Sequence, residues 1–349
     1  MADVPADQAP ELTPPHLAQM FGIPDLPDRL AAVDDRIAAA LGGDRALLGP
    51  ASLRVAEAGG KRLRPLFTIV SAAVGDTFDD RVVAAAAAVE LVQVGSLVHD
   101  DILDGAATRR GRPTINAAEG INHALLAGDY VLARAAELAA SVSGEAARIL
   151  AAALGELCEG QVLEMRDLFE PGRHVDDYLA SVRGKTAALF ECATRLGAHC
   201  AGLSDRNTLA LTRFGDAFGM GFQVLDDVLD LIADADRLGK PTGADIAAGV
   251  YTLPVLTALA GDQGDELRGL LREPDRVDDA LELVHRSGTV ASALTVADRY
   301  ADEARRAVAH LNQTAVGDGL ATFPRTYATW ALETMMDRRF VDTPLTALG

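Results

Sequence analysis

LVQVGSLVHDDILDGAATRRGRPT, residues 91–114, is the stretch from which the rest of the chain is best read. An almost uncharged run ends abruptly in Asp100, Asp101 and Asp104, and Arg109 and Arg110 follow after four small or polar residues. Continued as a helix, the run stacks Asp100 and Asp104 one above the other at i and i+4, with Asp101 beside them. Three carboxylates that close repel strongly unless a cation lies between them. Hard oxygen ligands at this spacing suit Mg²⁺, which takes one or two carboxylates together with water and substrate phosphate. The arginine pair beyond the cluster then meets what the metal does not reach, because guanidinium forks match phosphate oxygens. The plainer alternative is a solvated acidic helix end followed by a basic loop.

Composition agrees with a helical reading. Hydrophobic residues make up 49% of the chain and aromatic ones only 5%, and the abundance of alanine favours closely packed helices over sheets. Against 51 acidic side chains stand 32 basic ones, a net charge of −19. That excludes a general nucleic-acid binder, which needs a basic face. Cys158, Cys192 and Cys200 fit neither a disulfide framework nor a zinc knuckle, so buried thiols in a reducing compartment are expected. The opening MADVPADQAP has no basic flank and no apolar core, which argues against a signal peptide. The longest apolar run, Val82 to Val98, contains Glu90 and Gln93 and is short for a membrane span. A cytoplasmic protein with no transmembrane segment is expected.

Residues 1–25 read as a flexible tail, 26–340 as one domain and 341–349 as a short second tail. From Leu30 onward apolar residues recur at i, i+3, i+4 almost throughout, with no convincing alternating strands. The breaks are short, so neighbouring helices are expected to run antiparallel in an all-α, single-domain bundle. Gly59-Gly60-Lys61-Arg62-Leu63-Arg64-Pro65 puts three positive charges within four residues of an acidic protein. Asp226, Asp227 and Asp230 repeat the spacing of Asp100, Asp101 and Asp104 at an offset of 226 − 100 = 126 residues. Two such clusters facing each other across a bundle could hold several Mg²⁺ ions around one diphosphate. Lys240 follows the second cluster, and Gly184 before Lys185 hints at a bend that aims this lysine inward.

Taken together and in order, GKRLRP at 60–65, HDDILD at 99–104, RRG at 109–111, GKT at 184–186, FQVLDD at 222–227 and GKPTGAD at 239–245 resemble the trans-isoprenyl diphosphate synthases, or polyprenyl synthetases. The resemblance spans roughly Leu30 to Arg339. It implies an all-α bundle of the isoprenoid synthase type with a central cavity, and a homodimer. It further implies that Asp100, Asp101, Asp104, Asp226, Asp227 and Asp230 bind Mg²⁺ and the diphosphate of an allylic substrate. Arg109, Lys185, Gln223 and Lys240 would hold the same diphosphate, with Thr186 near the reacting carbons. Lys61, Arg64, Gln93 and Arg110 would bind isopentenyl diphosphate. Two positions depart from the common pattern: Gln93 stands where many bacterial members carry histidine, and Val250 where many carry lysine.

In this family a bulky residue about one turn before the first aspartate stops elongation. Gly95 and Ser96 leave that floor open, and Val92 below them is modest in size, so a long product, heptaprenyl to decaprenyl, is expected rather than geranylgeranyl diphosphate. Small residues that merely allow helix packing are the competing explanation, and a plug from another helix is a further one. An apolar product implies transient contact with a membrane surface on release. An all-α terpene cyclase would leave Lys61, Arg64 and Arg110 unexplained, and a non-catalytic regulatory subunit would be expected to lack one acidic cluster.

Overall fold

The second acidic cluster sits near the end of the longest helix, and the first ends its central neighbour. A computed structural model describes residues 12–42, 47–234 and 242–337. Helices α1 (Pro14–Phe21), α2 (Leu26–Leu41), α3 (Gly49–Ala56) and α4 (Leu63–Ala73) lead into α5 (Asp80–Leu103). A hairpin of β1 (Thr108–Arg109) and β2 (Arg112–Pro113) follows, then α6 (Ile115–Glu119), α7 (Ile121–Val142), α8 (Gly144–Arg166) and α9 (Val175–Val182). A π-turn over Arg183–Ala187 runs straight into α10 (Ala188–Cys200), and α11 (Asp205–Ile232) comes next. The remainder is α12 (Ala244–Ala247), α13 (Leu253–Leu259), α14 (Gly264–Leu270), α15 (Val277–Arg286), α16 (Thr289–Ala307) and α17 (Ala315–Met335). The described residues are all-α apart from that hairpin and a single bridge between Ala233 and Met336.

Helix α5 is the axis. Asp79 caps its N-terminus by accepting from the amides of Arg81 and Val82, which satisfies two donors the helix cannot pair itself. Ala84 to Ala88 are all at most 2% exposed, so α4, α7 and α10 can pack close around α5. α5 is also the one described helix long and apolar enough to cross a bilayer, yet 83% of its most apolar window is buried inside the bundle. Many of the described aromatic residues are gathered in one place. Phe67 meets Phe190, Phe214, Phe218 and Phe323 with centroids 4.7–5.9 Å apart, edge-on contacts that stabilise beyond the area they bury.

Two expectations change here. Residues 14–25, assigned to a flexible tail, include α1, which buries Leu17, Ala18 and Phe21. Phe21 packs 5.6 Å from Phe323 of α17, so the apolar face of α1 is part of the core. Cys192 and Cys200 are buried as expected, but Cys158 is exposed on α8. The domain boundary expected at 340 and the C-terminal tail fall outside the described residues, as does Lys240.

Candidate active site

Between α5 and α11 lies a divided cavity. One half, about 490 Å³, is lined by Lys61, Arg62, Arg64 and Arg110, with Glu90, Gln93, Ser96, Asp100, Leu157, Phe190 and Phe222. The other, about 530 Å³, is lined by Asp104, Glu164, Asp226, Asp227 and Asp245, with Arg173, Tyr178 and Val250. Lys185, Thr186, Gln223 and Asp226 line both. The halves are basic and acidic, and they meet at those four residues.

Local structure explains the placement. Gln93, Leu97, Asp100 and Asp104 follow i, i+4, i+7, i+11, one face of α5, and reach the cavity as the helix periodicity requires. The π-turn inserts one residue into the helical path, so Lys185 and Thr186 both face inward. It lies hard against α8: a Cβ on Gly160 would sit 2.3 Å from the Lys185 amide nitrogen, a contact only glycine allows. Arg110 and Gly111 form the two-residue turn of the hairpin with φ of 51° and 72°. This left-handed turn suits the twist of the strands and sends Arg110 into the basic half while its neighbours face elsewhere.

In the basic half the cations reach the cavity without full neutralisation. Lys61 donates to the Tyr327 hydroxyl at 2.8 Å and lies 4.5 Å over Trp330; burial lowers the pKa of its ammonium, with Asp226 opposing. Arg64 lies 4.5 Å over Phe190 and its Nε is buried without a hydrogen-bond partner. Burial brings its pKa down to about 10, with Glu90 opposing. Burial and then Arg109 lower that of Arg110. Arg62, by contrast, is fully engaged. It donates to Glu90 and to the Ala56 carbonyl, both at 2.9 Å, and pairs with Asp34 at 3.0 Å, tying the Gly59–Arg62 loop to α2, α3 and α5. Such a half is built to accept an anion directly.

The acidic half has the opposite imbalance. Lys185 donates to Glu164 at 2.6 Å, and its pKa is raised because Glu164 and Asp100 outweigh the effect of burial. Arg173 is taken up by Asp167 at 3.3 Å and Ser181 at 2.6 Å. Burial raises the Asp100 carboxyl above its ordinary range, against Lys185 and assisted by Asp104. Burial and Asp245 hold Asp227 well above its ordinary range. Among the described residues no three carboxylate, histidine or cysteine side chains form a metal cage of their own. An oxygen-only set of this kind fits a hard divalent cation that takes its other ligands from water and a bound diphosphate. A network runs from one half to the other: Thr186 donates to Gln223 at 2.7 Å, Gln223 to Asp227 at 2.8 Å, and Tyr178 to Asp227 at 2.6 Å.

The residues singled out by sequence are not all placed alike. Asp100, Asp104 and Asp226 face the cavity, while Asp101 and Asp230 are buried, at 3% and 1% exposure, and line neither half. Asp101 accepts from Arg109 at 2.7 Å, so Arg109 is turned away from the cavity where Arg110 enters it. Asp230 accepts from the Asp245 amide at 3.1 Å. Asp227 lines the acidic half with both carboxylate oxygens already hydrogen-bonded. Ser96 lines the basic half, but Val92 is buried outside it. Gly95 leaves no open floor: a Cβ there would lie 2.9 Å from Leu132 and 3.3 Å from the Gly128 carbonyl of α7. Its lack of a side chain permits helix contact, and Leu132 takes the space. Glu90, Glu164, Tyr178 and Tyr327 are site residues that the sequence did not single out; only Glu90, a lone acid in an apolar run, carried a visible signal.

With this geometry in hand, the chain matches known proteins over most of its length. Residues 46–286 match the family model for polyprenyl synthetase. A nonaprenyl diphosphate synthase of Mycobacterium tuberculosis is 41% identical over 266 residues, covering 74% of this chain and 79% of that protein. Component 2 of a heptaprenyl diphosphate synthase of Geobacillus stearothermophilus is 36% identical, over 80% and 88% respectively. The solved structure of a polyprenyl synthase of Caulobacter crescentus, complexed with calcium and isoprenyl diphosphate, superposes with a TM-score of 0.81 at 32% identity, over 94% of this chain and 99% of that one. The chain belongs to the polyprenyl synthetase family, and its all-α bundle is the isoprenoid synthase fold.

Proposed function

We propose that the protein is a Mg²⁺-dependent prenyltransferase that condenses isopentenyl diphosphate with an allylic diphosphate in trans and repeats the step to a long polyprenyl diphosphate, heptaprenyl to decaprenyl. The observation that carries this reading is the meeting of a basic and an acidic half-cavity at Lys185, Thr186, Gln223 and Asp226. Lys61, Arg64, Gln93 and Arg110 hold isopentenyl diphosphate in the basic half without metal. Asp100, Asp104 and Asp226 hold Mg²⁺ in the acidic half, with Asp101, Asp227 and Asp230 as their buried supports. Bound there, Mg²⁺ neutralises charge that builds on the leaving diphosphate. Lys185 and Gln223 hold that diphosphate while the allylic C–O bond breaks and its electron pair leaves with the oxygen. Arg109 joins them once it is released from Asp101, and Lys240 comes from outside the described residues. Thr186, set by Gln223, lies beside the allylic carbon. The double bond of isopentenyl diphosphate then forms the new C–C bond, and a proton passes to the departed diphosphate.

Helices α7 and α8 leave Ile121, Leu125, Leu126 and Val162 exposed. Large apolar side chains left exposed on two packed helices suit an interface, and we assign them to a homodimer. The component name of the Geobacillus relative supports a second reading, a different subunit on the same face. The protein acts in the cytoplasm, with transient membrane contact as its apolar product leaves. The test is product analysis with purified protein, Mg²⁺, labelled isopentenyl diphosphate and allylic primers of increasing length, beside a Ser96→Phe variant. Long products that shorten in the variant are expected. Products ending at geranylgeranyl would overturn the chain length alone, and no condensation without a second subunit would favour the heteromeric reading.

A further inference from the structure

The hairpin sorts its arginines to two sides. Arg109 and Arg112 are direct cross-strand partners, and like charges facing each other across a ladder are unfavourable unless an anion lies near. With Arg54 from α3 they line a separate cavity of about 300 Å³, whose other walls include Val55, Pro113 and Ile115. Asp101 is its one acidic lining residue, and Arg109 holds it at 2.7 Å. Arg54 pairs with Glu119 at the rim, and Arg112 shows no side-chain partner among the described residues. Three cations over an apolar floor are conspicuous in a chain of net charge −19.

We propose that this cavity is a second binding site, for an amphiphilic anion: a phosphate or diphosphate head on a short hydrocarbon body. Arg54 and Arg112 take the head and draw Arg109 toward it, and Val55, Pro113 and Ile115 cover the hydrocarbon. Because Arg109 is then withheld from the catalytic cavity and Asp101 loses its partner beside Asp100, occupancy slows turnover. The enzyme would be inhibited by excess of its own short allylic diphosphate. The choice of that ligand rests on the function proposed above.

The test is calorimetric titration of the full-length protein, in Mg²⁺ and saturating isopentenyl diphosphate, with geranyl S-thiolodiphosphate, an unreactive allylic analogue. Wild type is expected to take one equivalent more than Arg54→Gln/Arg112→Gln, and one more than Ala118→Trp, which fills the cavity. Both variants should also lose inhibition by excess geranyl diphosphate while keeping the rate at low substrate. Inorganic pyrophosphate should bind the extra site about 10-fold more weakly or worse, lacking hydrocarbon to bury. Equal stoichiometry in wild type and both variants overturns the site, and equal affinity for pyrophosphate overturns its amphiphilic character. If the catalytic reading itself fails, every stoichiometry drops by the same amount and the difference between proteins remains.

Discussion

On the proposed function the two halves of the cavity would solve one problem, holding a diphosphate, in opposite ways. The basic half lines its wall with Lys61, Arg64 and Arg110 and leaves the buried Arg64 Nε without a hydrogen-bond partner, so it can bind an anion directly. The acidic half spends its cations on internal pairs, Lys185 with Glu164 and Arg173 with Asp167, and turns carboxylates toward the ligand. On the same reading it would hold a diphosphate through metal. The difference would match the chemistry proposed for each: the first diphosphate would stay on its substrate, and the second would leave and carry negative charge away.

That contrast can be broken from either side. Asp100→Asn or Asp226→Asn should lower kcat by about 10²–10³-fold, the scale for removing one preorganised electrostatic contribution, while isopentenyl diphosphate still binds. Lys61→Gln or Arg64→Gln should raise KM for isopentenyl diphosphate about 10–100-fold, as for a lost charge-assisted hydrogen bond, with the allylic KM nearly unchanged. Because the Arg64 pKa lies at about 10, its charge is present below that pH and lost above it. KM for isopentenyl diphosphate should therefore climb on passing pH 10, in Lys61→Gln as in wild type because burial lowers the Lys61 pKa as well, and a flat profile in Lys61→Gln would count against Arg64. Leu132→Ala should open the space beside Gly95 and lengthen the product, read by chromatography beside Ser96→Phe. The smallest effect is expected from Val250→Lys, which adds a cation to the acidic half. It should lower the allylic KM by about 2–5-fold, the range of a solvent-accessible ion pair.

What was legible in the sequence depended on local periodicity. The aspartate pairs at i and i+4 and the face Gln93, Leu97, Asp100, Asp104 follow from 3.6 residues per turn, as does the all-α class. The division of labour within each motif did not. Arg109 and Arg110 are adjacent letters, and only the left-handed turn at Arg110-Gly111 sends one to Asp101 and the other into the cavity. Gly95 looked like an open floor because sequence cannot show that Leu132, 37 residues later (132 − 95 = 37), fills it. Glu164 and Tyr178 gain meaning only from Lys185 and Asp227, partners brought near by the π-turn and by α11. Helix α1 falls within the expected tail because prolines break most helices, whereas Pro14 and Pro15 here occupy the first turn, where a proline fits.

The most direct test is equilibrium binding of two unreactive ligands, isopentenyl S-thiolodiphosphate and geranyl S-thiolodiphosphate, to an Arg54→Gln/Arg112→Gln protein with and without Mg²⁺. The first should bind alike in Mg²⁺ and in EDTA and should lose affinity in Lys61→Gln. The second should bind tightly only with Mg²⁺ and should lose affinity in Asp100→Asn. If both ligands need Mg²⁺ equally, or neither does, the division of the cavity into a direct and a metal-mediated diphosphate site is wrong.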